Sequence, residues 1–171
     1  MSESVGSTAR AWMAFYAEHR RAMASYALSL TGQVQDAEDL VQETLVRMVQ
    51  LDQPVHHAKA FVFKSMRHLA IDRRRAAGRR PTMGTLDGID ATFIDTDLDD
   101  LVRRETARSV QRAMEALSPG QAEVVLLRVY AGLSFREIAA VLDRPMGTVT
   151  SEYARSLQRL QKILEKGTSH V

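Results

Sequence analysis

The stretch SPGQAEVVLLRVYAGLSFREIAAVLDRPMGTVTSEY, residues 118–153, decides the fold. Ser118 and Gln121 have capping-box spacing, and Pro119 falls in the first turn, where a missing N–H leaves no bond unmade. The helix they open runs through an apolar series to Gly132, a stop signal. Ser134 with Glu137 is a second capping box, opening a short helix through Ile138, Ala139, Val141 and Leu142. Asp143-Arg144-Pro145 then makes a tight turn. The next helix runs from about Gly147 to Leu164, with Val149, Tyr153, Leu157, Leu160 and Leu164 expected inside. A short helix, a three-residue turn and a longer polar-faced helix have helix-turn-helix spacing, which helical hairpins without DNA function share.

Outward from this stretch the period stays helical, with apolar residues three and four apart and no period-two run. A first helix is predicted over Ala11–Leu30, with Trp12, Phe15, Tyr16, Met23, Tyr26, Ala27 and Leu30 on its apolar stripe. A second is predicted over Asp36–Leu51, capped by the Asp36 carboxylate and facing the core with Ala37, Leu40, Val41, Leu45, Met48 and Val49. A third, over about Ala58–Ala77, turns Phe61, Val62, Met66, Leu69 and Ala70 inward. Trp12, Phe15, Phe61, Phe63 and Phe135 sit at helical core spacing and are expected in the core rather than as base-stacking platforms, with Phe63 or Trp12 the ones that leave room for partial exposure. A further helix over Asp99–Ala116 leads into the capping boxes. The fold class is therefore all-α, in two small helical domains: residues 1–80, an acidic linker over 81–98, and residues 99–171.

The chain has 171 residues, 45% hydrophobic and 26% charged, which suits a globular protein. It has no cysteine, which removes disulfides, thiol nucleophiles and thiolate metal sites. No run approaches a membrane span, and the polar stretch Met1–Arg10 lacks a signal core. A cytoplasmic location without membrane insertion is expected. The net charge of +2 conceals strong blocks. Val34–Val55 carries five acidic residues against one basic, His56–Arg80 eight basic against one acidic, and Pro81–Val102 six acidic and none basic. Separate surfaces for separate partners follow, at least one partner being polyanionic.

Three constellations carry function. On the third helix Lys64, Arg67, Arg74 and Arg75 fall on one side, away from the apolar stripe; with His68 and Arg73 they form the strongest basic feature, suited to phosphates. Its bland counterpart is a solvated helix end with cations near the C-terminal dipole. On the second helix Asp36, Asp39 and Glu43 share a face, with Glu38 and Gln42 beside it. A protein-docking face is expected there rather than catalysis, because histidine is absent and acids suit a helix N-terminus. At the start of the last helix Thr148, Thr150, Ser151 and Glu152, followed by Arg155 and Arg159, have the side chains that reach base edges and phosphates, although ordinary solvent-facing residues look similar. His56-His57 reads as loop. No phosphate loop, Ser/His/Asp set or metal cluster appears, so no enzyme activity, cofactor or metal is expected.

At these residues the chain resembles the extracytoplasmic-function (ECF) sigma factors of bacterial RNA polymerase. Asp36-Ala-Glu-Asp-Leu-Val-Gln-Glu-Thr-Leu-Val-Arg, then Ala60-Phe-Val-Phe-Lys-Ser-Met-Arg-His-Leu-Ala-Ile-Asp-Arg-Arg-Arg-Ala, resembles the family's sigma-2 domain. Leu117-Ser-Pro-Gly-Gln, Gly132-Leu-Ser-Phe-Arg-Glu-Ile-Ala and Pro145-Met-Gly-Thr-Val resemble its sigma-4 domain. The resemblance implies a transcription initiation factor that is a monomer when free. Asp36, Asp39, Gln42 and Glu43 would bind the clamp of core RNA polymerase. Lys64, Arg67, His68, Arg73, Arg74 and Arg75 would hold minus-ten promoter DNA, and the loop Gln53–Ala58 would capture a flipped base. The last helix would read the minus-thirty-five element, and an anti-sigma factor would control the whole. Many relatives carry a basic residue, Ser and Arg where this chain has Thr150, Ser151 and Glu152, so Arg155 and Arg159 are expected to do more of the work. Two rivals stand beside this reading. One is a sigma mimic that sequesters an anti-sigma factor without binding promoters; the other is an ordinary helix-turn-helix repressor.

Overall fold

Among the described residues every regular element is an α-helix, as the unbroken three-and-four spacing requires. The computed structural model describes residues 2–51, 55–78 and 109–168, with side chains from 8 to 165 of these. The N-terminal unit is α1 (Ser2–Thr31), α2 (Val34–Val49) and α3 (Ala58–Ala76). The C-terminal unit is α4 (residues 109–115), α5 (Pro119–Val129), α6 (Phe135–Leu142) and α7 (Met146–Thr168). The proposed linker 81–98, most of the Asp99–Ala116 helix and Gln53 with Pro54 lie outside the described residues.

Gly32, in the left-handed region at φ 77°, ends α1 and lets α2 fold straight back on it. Trp12, Met23, Tyr26, Ala27 and Leu30 of α1 meet Ala37, Leu40, Val41 and Met48 of α2 and Val62, Phe63, Met66, Leu69 and Ala70 of α3. The same apolar cluster continues into the C-terminal unit through Val124, Leu127, Leu133, Ile138, Val141 and Val149. A second cluster, Met114, Leu117, Ala122, Val125 and Leu126, closes α4 against the other side of α5. Helix α5 is thus buried on two faces, which its apolar run from Val124 to Leu127 permits.

Both capping boxes form as expected. Ser118 accepts from the Gln121 backbone N–H while Gln121 accepts from Ser118 N–H, and Ser134 and Glu137 do the same. Helix α2 differs from expectation. Its N-cap is Gln33, which makes no side-chain cap bond, and Asp36 lies one turn inside. There its charge favours the helix N-terminus without capping it. On α3 Phe61 departs from expectation, while Phe63 lies in the core. Phe63 is fully buried and Phe61 is 37% exposed, because the inward face is Val62, Phe63, Met66, Leu69 and Ala70. That set follows i, i+1, i+4, i+7, i+8 and leaves Phe61 on the flank. Trp12 is buried, as its place on the α1 stripe requires. Leu157 and Leu164 are exposed rather than internal, because the inward face of α7 is Val149, Tyr153, Ser156 and Leu160, and Leu157 lies on its flank.

Candidate protein-binding and nucleic-acid interfaces

On α2 the side chains of Asp36, Asp39 and Gln42 are exposed, and Glu43 is half-buried. Glu43 is not free. Arg47 donates to its Oε1 at 2.7 Å, and Arg73 of α3 bonds Oε2 through Nε at 3.2 Å and through Nη2. The Arg73 bond, seconded by Arg47, holds the Glu43 carboxyl below the ordinary carboxylate range. Arg73 Nη2 also reaches the Asp39 carbonyl oxygen at 3.3 Å. Beside this ridge a groove of about 670 Å³ runs between α1 and α2, walled by Tyr16, Arg20, Leu28, Val34, Val41 and Leu45. Ser25, whose buried hydroxyl has no protein partner, also lines it.

The basic face of α3 is met by acids from the C-terminal unit. Arg67 Nε donates to Glu123 Oε1 at 3.1 Å, and the Tyr26 hydroxyl donates to the same oxygen at 2.9 Å. Glu123 is only 4% exposed, so this carboxylate is a buried charge satisfied by a cation and a phenol. Burial, then the Glu123 charge, pushes the Tyr26 phenol well above its usual range. Lys64 Nζ donates to Asp143 Oδ1 at 2.7 Å, with His68 Nε2 3.7 Å from Oδ2. The Lys64 bond holds the Asp143 carboxyl below its ordinary value. Arg74 is partly desolvated, which lowers its pKa, while Glu123 opposes that shift. Arg75 is exposed. The candidate basic row is therefore assembled on one helix, with most of its members already engaged. Sequence reading missed Glu123 and Asp143 as their partners. The available signal was a carboxylate at 123 inside an otherwise apolar run.

Helices α6 and α7 form the helix-turn-helix. Asp143 is the C-cap of α6 in the left-handed region at φ 52°, a conformation Asp tolerates better than most residues. Thr148, Ser151, Arg155 and Arg159 are exposed and, at spacings of three and four, share one face of α7. Ser151 and Thr150 donate their hydroxyl protons to the Gly147 and Met146 carbonyl oxygens at 2.8 and 2.9 Å, leaving each oxygen's lone pairs to accept. Glu152 turns inward to Arg144, Nη1 to Oε2 2.9 Å. The Arg144 guanidinium lies over the first turn of α5, so close that a Cβ on Gly120 would come within 3.1 Å of Nη1. Among the described residues no three or more His, Asp or Glu gather as a metal site, and no helix is long and apolar enough to cross a membrane.

Family models match both units: "Sigma-70 region 2" over residues 15–80 and "Sigma-70, region 4" over residues 107–160. The ECF RNA polymerase sigma factor SigL of Mycobacterium tuberculosis is 31% identical over 97% of this chain and 96% of its own. The ECF sigma-E factor of Salmonella typhimurium is 28% identical over 73% of this chain and 72% of its own. Among solved structures, CnrH in complex with the cytosolic domain of CnrY superposes with a TM-score of 0.62 at 25% identity, covering 96% of this chain and 94% of that one. The sigma factor RpoE of Bartonella quintana, in complex with the anti-sigma factor NepR, does so at 0.62 and 26%, covering 91% and 98%. An acidic ridge, a basic helix and a helix-turn-helix in this order, with likeness spanning nearly the whole chain, place it in the ECF sigma factor family of bacterial RNA polymerase.

Proposed function

We propose that this chain works in the cytoplasm as a dissociable specificity subunit of RNA polymerase, through three surfaces. Asp36, Asp39, Gln42 and Glu43 on α2 dock the clamp of core polymerase. Lys64, Arg67, His68, Arg74 and Arg75 hold the minus-ten DNA backbone, with Arg73 bracing α3 against α2. Thr148, Thr150, Ser151, Arg155 and Arg159 read the minus-thirty-five element. The units are residues 1–80 and 99–171, joined by the acidic linker 81–98. The bonds of RNA synthesis are made by the polymerase. Control by an anti-sigma factor is supported by the two solved relatives, one of which has an anti-sigma factor as its partner.

The observation that carries this reading is the exposed row Thr148, Ser151, Arg155 and Arg159 at the start of the second helix of a helix-turn-helix. Major-groove readers present such a row to base edges and phosphates. The sigma-mimic alternative drew on Glu152 opposing phosphate. The bond from Arg144 to Glu152 removes that argument.

Native co-migration with core RNA polymerase tests the proposal. The wild-type chain is expected to bind tightly and saturably. Asp39→Arg, a change at an exposed side chain, is expected to abolish assembly while the helical circular dichroism stays intact. Wild-type assembly by that variant removes the α2 ridge as the docking face.

A further inference from the structure

The floor of the groove between α1 and α2 belongs to none of the three surfaces assigned above. Its volume, about 670 Å³, falls within the range of about 300–1,000 Å³ usual for small-molecule sites. It exists because the facing residues midway along the two helices are small, Ala24 and Ser25 on α1 and Ala37 on α2. Leu28 and Val34 wall the end nearest the Gly32 turn, and Tyr16 and Leu45 the end farthest from it. The stretch of α1 from Tyr16 to Leu28 is about 18 Å long, so the groove is long and narrow.

Ser25 is the anomaly in it. A buried hydroxyl on a helix ordinarily gives its proton to a carbonyl oxygen one turn back. Ser29, Thr44 and Ser156 do so, at 2.7, 2.7 and 2.6 Å. Ser25 is 1% exposed, and among the described residues its hydroxyl has no partner. An unpaired buried hydroxyl is a cost that the polar atom of a bound molecule removes.

The rim of the groove selects the polar atom. Arg20 and Glu38 both line it, both are exposed, and neither is ion-paired among the described residues. Arg20 can only donate and Glu38 can only accept, while Ser25 and Gln42 can do both. A carboxylate would suit Arg20 and be repelled by Glu38; an ammonium would be repelled by Arg20. A neutral amide brings an acceptor and a donor together without a net charge.

The geometry points to a binding site for a neutral acyl amide, its apolar chain laid along Leu28 and Val41 and its amide shared by Ser25, Arg20 and Glu38. Its occupancy weakens docking of core polymerase, because Gln42 belongs both to the groove wall and to the clamp face of α2. That second part rests on the reading of α2 given under Proposed function; the site itself does not.

Isothermal titration calorimetry of the full chain tests the site, with N-(2-hydroxyethyl)decanamide as the probe, kept below the concentration at which it self-associates. Saturable binding is expected, with decanoate and decylamine several-fold weaker. Ser25→Ala should weaken the amide by about three- to tenfold and leave the thermal midpoint no lower, because it deletes a hydroxyl that no protein atom satisfies. A serine needed only for the fold would show the reverse. Ala24→Leu, at an exposed position on α1, fills the middle of the groove and should abolish binding. In native co-migration with core polymerase, saturating amide should weaken assembly by the wild-type chain about fivefold or more. Assembly by Ala24→Leu should not respond to it.

No saturable binding of the amide overturns the site, as does binding that Ser25→Ala and Ala24→Leu leave unchanged. Equal affinity for decanoate overturns the choice of an amide head. Binding without any change in assembly overturns the coupling to polymerase, and the site stands. If the chain fails to assemble with core polymerase even without the amide, the reading of α2 fails, and calorimetry still decides the site. Should Ala24→Leu unfold by circular dichroism, Ser25→Ala decides alone.

Discussion

Replacing Arg155 and Arg159 together by Ala is the sharpest probe of the reading helix. Both side chains are exposed on the same face of α7, and neither makes an ion pair among the described residues. Their charge is therefore available to phosphates, and their loss leaves no buried partner stranded. Each phosphate neutralised steepens the fall of log affinity with log salt by about 0.9. The double variant should flatten the slope by about 1.8 if each Arg takes one phosphate. Between about 50 and 200 mM salt each such contact costs roughly 3.5-fold in affinity, so the two account for a salt effect of about twelvefold that the variant should lack. The assay is a titration of the holoenzyme onto a promoter fragment that it transcribes, repeated over a salt series. A slope equal to wild type would refute the assignment of these arginines to the DNA backbone, whatever the affinity at one salt concentration.

The remaining predictions concern the frame. Ser134→Ala removes the hydroxyl that both accepts from Glu137 N–H and donates to Glu137 Oε2; it should cost about 1 kcal/mol, read as a lower denaturant midpoint. Ile138→Ala empties a fully buried site between α3 and α7 and should cost about 2–5 kcal/mol in the same titration, with a clear loss of helix-turn-helix order. Acid titration tests the carboxylates. The Glu137 carboxyl is held low chiefly by the Ser134 backbone N–H, then by its hydroxyl, and Glu43 chiefly by Arg73. Both folded values lie below the unfolded value, so their stabilisation is complete above about pH 4.3 and is lost as pH falls through the folded values. Thermal midpoints should drop in that window, and less steeply in Ser134→Ala; equal steepness would remove the hydroxyl's part.

What the sequence disclosed was local. Capping boxes act within four residues, and both appear where Ser118 and Ser134 put them. The helix-turn-helix and the basic row on α3 were legible for the same reason, because each is a spacing along one helix. Long-range matters were not. Phe61 and Phe63 stand two residues apart, on different sides of α3, and which of the two meets α1 is set by the packing of other helices. On α7 the covered face runs Val149, Tyr153, Ser156 and Leu160, so a buried serine takes the place that the apolar pattern gave to Leu157. The engagement of Arg73 with Glu43 and of Arg67 with Glu123 joins residues 30 and 56 positions apart. Charge blocks announce that opposite surfaces exist, not that they meet within one chain.

Arg144 has a consequence for how this chain can change over generations. Lying on Gly120 and tied to Glu152, it joins the α5 turn to the flank of α7. Glu152 is thereby committed to holding the helix in place, while Thr148, Ser151, Arg155 and Arg159 face outward with no such duty. If those four read promoter DNA as proposed, selection can revise them one at a time, retargeting the chain to new genes, without disturbing the scaffold that aims them. A duplicated copy would inherit a sound mount and an editable address.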